Sequence, residues 1–191
     1  MIHSEMPQQT QGKMRGFQLW INLPASEKLS APDYKDIPPS DIVEFWFEGI
    51  TVKPLLGQAQ VNEQTVTASL QLEHGDPCYL DLQFDGTRTA TVSGLKSDHT
   101  QLIYVADGNI HIGKQQSLVT TGQLARLEPG DITTLTSDGQ PARALLICGS
   151  PYKEPIAQYG PFVMNHASEI DQAMRDYRDG TLTEQASQLA S

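Results

Sequence analysis

The sequence predicts an all-β protein with one helix near its C-terminus, and three observations carry that prediction. From Ile42 to Gly149, short segments alternate apolar and polar residues, the period of two that a half-buried strand imposes. Gly and Asp turns divide these segments at the spacing of an antiparallel sandwich or small barrel, with no helical period among them. The period changes to that of a helix only afterwards, in SEIDQAMRDYRDG.

The chain opens MIHSEMPQQ. In a strand His3 and Glu5 point the same way and sit roughly 7 Å apart at the backbone, close enough to hold one metal ion. Two donors make half of such a site. Next comes RGFQLWINLP, in which Phe17, Leu19, Ile21 and Leu23 alternate with Gln18, Trp20 and Asn22. This predicts a strand with one buried face, ended by Pro24. Pro24, Pro32, Pro38 and Pro39 then punctuate a polar stretch that reads as an irregular link between two structural units.

Within the β region, TASLQLEHGDP and CYLDLQFDG each alternate before a glycine turn, and QLIYVADGNIHIG reads as a hairpin around Asp107-Gly108-Asn109. LARLEPGDITTL repeats the theme about Pro129-Gly130-Asp131. The unbroken apolar run Ala144 to Cys148 predicts a fully buried strand that closes the unit. Beyond it, PYKEPIAQYGPFVMN is extended and Pro-punctuated. A helix follows over about 168–179, with Ile170, Ala173, Met174 and Tyr177 at helical spacing, acids in the first turn and Gly180 as its stop.

At 191 residues the chain suits one large domain or a domain plus a fragment. Thirteen Lys and Arg against 23 Asp and Glu give a net charge of −10, and no basic stripe is present to neutralise phosphates. Direct nucleic-acid binding is not expected. No window approaches a bilayer-spanning helix, and the N-terminus has no basic region followed by an apolar run, so a soluble cytoplasmic protein is expected. The two cysteines, Cys78 and Cys148, are too few for a disulfide framework, and nothing in the sequence places them together. Reduced thiols are the expectation.

Of the five histidines, only His3 has a carboxylate at strand spacing on its own face. His74 lies in a Glu-His-Gly-Asp turn and reads as solvated turn chemistry. Ser97-Asp98-His99 has the residue types of a hydrolase triad, but consecutive residues of one loop cannot form that relay. His111 should face away from Ile110 and Ile112, towards solvent, and His166 stands where it can serve the N-terminus of the helix. No phosphate loop, zinc-finger spacing or nucleotide fingerprint occurs.

HSEMP, RGFQLWINLP, EPIAQYGPFVMN and EIDQAMRDYRDG closely resemble signature stretches of the pirin family, over essentially the whole chain to about Leu182. The resemblance implies a cupin (RmlC-like) β-barrel or jelly roll: one complete C-terminal barrel over 42–150, preceded over 1–41 by the remnant of a first barrel and a linker, and followed over 151–191 by an extension with the helix. Pirins hold iron in the first barrel with three histidines and a glutamate, and His3 and Glu5 match the last two. The other two belong to a His-x-His motif that lies before HSEMP in a pirin, where this sequence has only Met1 and Ile2.

The implied activity is iron-dependent dioxygenation of quercetin-type flavonols, with Glu5 also accepting the substrate proton and with an incomplete metal site. The alternative it implies is a metal-free regulatory protein acting through protein partners. In the second barrel, His99 with Gln101 stands where a His-x-His would be needed, so His99 reads as structural. A barrel cut through its middle leaves an apolar face to cover, so the remnant is expected to pack on its own second barrel and helix, or to form a homodimer through the N-terminal strands.

Overall fold

The apolar run ending at Cys148 lies at the centre of a six-stranded antiparallel sheet, with Ala144, Leu145, Leu146 and Cys148 buried and Ile147 half-buried. The computed structural model describes Gln11, Gly12 and residues 15–182. These strands are β1 (Phe45–Phe47), β2 (Ile50–Leu56), β3 (Gln58–Val61), β4 (Gln64–Thr67), β5 (Cys78–Phe84), β6 (Thr89–Ser93), β7 (Thr100–Asp107), β8 (Asn109–Ile112), β9 (Ser117–Thr120), β10 (Leu124–Arg126), β11 (Ile132–Ser137) and β12 (Ala142–Gly149). A short pair, β13 (Ala157–Tyr159) and β14 (Phe162–Met164), precedes helix α1 (Ala167–Asp179).

One sheet has the order β1-β2-β5-β12-β7-β10 and the other β4-β3-β6-β11-β8-β9, all antiparallel. Apart from the pairs β1–β2, β3–β4 and β8–β9, consecutive strands fall in different sheets, the mark of a jelly roll. The core between the sheets is built from alternate residues, among them Val52, Leu80, Leu82, Val92, Ile103, Ile110, Leu135 and Leu146. The predicted all-β barrel with a C-terminal helix is therefore observed.

Two local expectations are corrected. QLIYVADGNIHIG is not a hairpin: β7 pairs with β12 and β10, while β8 pairs with β11 and β9. The chain changes sheets at Gly108, whose φ of +74° turns it away from its own preceding strand. TASLQLEHGDP contributes only Thr67 to a strand. After it the backbone closes on Gly57, which donates to Leu70 O and accepts from Ala68 N, and the Gln71 amide bonds to Gly57 O and Ala68 O in place of a partner strand.

The chain divides into two compact units, residues 36–152 and a second made of 1–35 with 153–191. In the second, Glu154 accepts from Ala25 N at 2.9 Å and from Asn165 Nδ2 at 3.0 Å, tying the one-turn helix Ala25–Glu27 to the β13–β14 pair. Helix α1 begins where Glu169 accepts from the main-chain N–H groups of Asn165 and His166, so His166 stands at the N-cap as the spacing suggests. It ends at Gly180, φ +76°, as predicted. Ile170 and Ala173 are buried, and Tyr177 meets the Phe162 ring edge-on at 6.2 Å.

RGFQLWINLP departs most from expectation. Residues 15–24 join no sheet among the described residues, and Phe17, Leu19, Ile21 and Leu23 remain 37–44% exposed, with Trp20 at 57%. Alternation marks a strand only when a neighbouring strand supplies the other half of the ladder.

Candidate functional site

His3 and Glu5, the predicted metal ligands, lie outside the described residues. The described residues place polar and sulfur side chains at one end of the barrel interior instead. Inward positions of three neighbouring strands put Gln101 of β7 beside Cys148 of β12, and Cys148 beside Cys78 of β5. All three are buried. The two cysteines, 70 positions apart in sequence, are thus direct cross-strand partners.

Gln101 is a clamp. Its amide donates to Lys96 O at 3.1 Å and to Gly130 O at 2.6 Å, tying the turn before β7 to the Pro129-Gly130 turn. His99 enters the same turn, with its main-chain N–H on Lys96 O, and it is only 8% exposed. Its Nδ1 has no hydrogen-bond partner among the described residues.

This constellation does not fit an iron ion. An amide that spends both N–H groups on carbonyls turns donors, not lone pairs, to those neighbours. No three His, Cys, Asp or Glu residues among the described ones converge as ligands.

Burial and a shared hydrogen bond set the character of the thiols. The Cys78 S–H donates to the Cys148 sulfur, which raises Cys78 far above the ordinary thiol range; burial adds to the rise. The same bond, helped by the Cys78 main-chain N–H, lowers Cys148 against the opposing effect of burial.

Outside this cluster the histidines have local roles. His111 faces away from the buried Ile110 and Ile112, as expected, and is half-buried there with its Nδ1 3.1 Å from Gln116 O. His74 sits in the turn with Asp76, whose carboxylate holds Lys96 Nζ at 2.6 Å. On the outer face of the first sheet, Asp81 is almost wholly buried and takes a bidentate pair from Arg143, Nε at 2.9 Å and Nη2 at 2.7 Å. The carboxylate raises the Arg143 guanidinium further above its already high range. Neither this pair nor the thiol pair was found in sequence, since each depends on the register of strands distant in the chain.

The profile of the pirin C-terminal cupin domain matches residues 79–183, more than half of the chain. The chain belongs to the pirin family. A Pseudomonas aeruginosa relative named "Putative quercetin 2,3-dioxygenase" is 42% identical over 186 residues, covering 95% of this chain and 64% of the relative. Mouse pirin is 33% identical over 184 residues, 94% of this chain and 60% of the relative. This pirin therefore spans less than two thirds of the length of these relatives. Among solved structures, quercetin 2,3-dioxygenase of Acinetobacter baumannii superposes with a TM-score of 0.75 at 23% identity, covering 85% of this chain and 55% of that one, a likeness of fold. The matched stretch runs from β5 to just beyond α1 and contains the Gln101 clamp, the Asp81–Arg143 pair and Cys148.

Proposed function

We propose that this pirin serves in the dioxygenation of quercetin-type flavonols, with His3 and Glu5 as two of the ligands of an iron ion and the barrel over 42–150 as a metal-free scaffold. The observation that carries this reading is the 42% identity with the Pseudomonas relative over nearly the whole chain. Iron in such a site supplies open positions where a flavonol hydroxyl is activated towards dioxygen. Glu5 accepts the hydroxyl proton, and His3 contributes a neutral imidazole donor. The described residues add no further ligand set, so these two residues need donors from elsewhere to enclose the ion.

The test is metal analysis of the purified protein after iron loading, with dioxygen uptake measured on quercetin. Near-stoichiometric iron and turnover, both lost in His3→Ala while the circular dichroism is unchanged, are the expected results. A protein that binds no iron and consumes no dioxygen at saturating iron ends the enzyme reading.

A second reading rests on a different observation, the exposed apolar row from Phe17 to Leu23. It proposes a metal-free role through protein contacts, of which pairing with a second copy of the same segment is the simplest.

A further inference from the structure

The buried pair Cys78 and Cys148 carries an inference independent of iron and of the flavonol reading. The two are direct partners on the antiparallel strands β5 and β12, and both side chains point into the barrel. Directly opposed residues of an antiparallel pair have Cα atoms about 4.5 or 5.5 Å apart, depending on the ladder position. Both separations lie within the range that a disulfide spans. Both thiols belong to one buried core cluster and stand side by side on neighbouring strands.

We infer that Cys78 and Cys148 form a two-electron thiol–disulfide couple inside the barrel, oxidised by hydrogen peroxide, with Cys148 as the attacking sulfur and Cys78 as the resolving one. The Cys148 sulfur, favoured as the thiolate by the Cys78 S–H and main-chain N–H, attacks one peroxide oxygen. The O–O bond breaks, hydroxide leaves and takes the proton that Cys148 gave up, and Cys148 becomes a sulfenic acid. The Cys78 sulfur then attacks the Cys148 sulfur. The S–S bond forms, the S–OH bond breaks, and the departing hydroxide takes the Cys78 proton. Two electrons pass from the thiols to peroxide, which ends as two waters.

The placement of the resolving thiol has a consequence. A buried sulfenic acid with a thiol in contact closes to the disulfide before a second peroxide carries it to the sulfinic acid. The new bond joins β5 and β12, the two adjacent central strands of their sheet, and closes a loop of about 70 residues, which restricts the unfolded chain.

The experiment treats the purified protein with hydrogen peroxide, then unfolds it under acid quench and counts thiols. Both thiols should disappear together, digestion should yield one peptide pair linking Cys78 to Cys148 within a single chain, and dithiothreitol should restore both. The oxidised protein should melt roughly 5–15 °C higher than the reduced one. Cys78→Ala should leave Cys148 open to sulfinic acid formation. Should that variant not fold, the peptide map of the unaltered chain still decides the question. Two free thiols after peroxide has oxidised the methionines overturn the proposal. So do sulfinic acid in place of a bridge, or bridges only between chains.

Discussion

Asp81 is the residue whose environment contrasts most with its chemistry. Its side chain is 4% exposed, on a face of β5 where the neighbouring positions Tyr79 and Gln83 are half-buried. Arg143 covers it with two parallel hydrogen bonds, and Gln83 Nε2 adds a third at 3.2 Å. Directly across the ladder stands Lys53, but its ammonium is engaged by Glu44 at 2.6 Å, so Arg143 is the chief counter-charge. Removing the guanidinium leaves a buried carboxylate with only the Gln83 amide against it, whereas neutralising the carboxylate leaves an arginine that is 40% exposed and can reach water.

The expected costs are therefore unequal. Arg143→Met should destabilise the fold by about 2 kcal/mol, a value reduced from that of a fully buried pair because water reaches the arginine. Asp81→Asn should cost about 1 kcal/mol, since an amide still accepts from Arg143. Urea unfolding of the two variants checks the order, and a reversed order would refute the assignment of Arg143 as the counter-charge.

At the scale of elements, Gly108 decides whether the chain forms a hairpin or a corner. A Cβ there would stand 2.7 Å from Pro141 O and 2.8 Å from Ala142 Cβ, with φ at +74°. Gly180 has nearly the same φ, +76°, but among the described residues no atom lies within 4 Å of the same position. Gly180→Ala should thus cost only the backbone term, about 1 kcal/mol, and Gly108→Ala about 3 kcal/mol because the start of β12 must also move. Equal losses in thermal unfolding would show that crowding at the corner is unimportant.

The same comparison explains what could be read in the sequence. α1 was legible to within one residue at its start because its signals are local: a 3.6-residue period, Glu169 in the first turn and Gly180 after the last. The central strand β12 was legible from its unbroken apolar run. The β7–β8 corner was not, since alternation through Asp107-Gly108-Asn109 is the same whether the chain folds back on itself or crosses to the other sheet. The candidate chemistry divides similarly. His3 and Glu5 are neighbours in sequence and were read there, whereas the contact between Cys78 and Cys148 exists only through the pairing of Tyr79 with Ile147 and of Leu80 with Leu146.

For the whole molecule, the stretch from Phe17 to Leu23 poses the largest energetic question. Four alternating apolar side chains and Trp20 stand 37–57% exposed in a segment that joins no sheet among the described residues. Burying such a row is favourable in proportion to its area, and an extended segment can also add main-chain hydrogen bonds when it meets another strand. A second copy of the same segment can provide both, in an isologous antiparallel arrangement. A stable interface needs about 1,200 Å² of total burial, so such a dimer must use the flanking residues as well as this row. Sedimentation velocity over a wide dilution series should show a reversible monomer–dimer equilibrium. Charges placed on one side of the row, in Leu19→Glu with Ile21→Glu, should shift it to monomer by tenfold or more in dissociation constant, about 1.4 kcal/mol or above. Dimers in both proteins would place the interface elsewhere, and a wild-type monomer at every concentration would leave this row to a different partner.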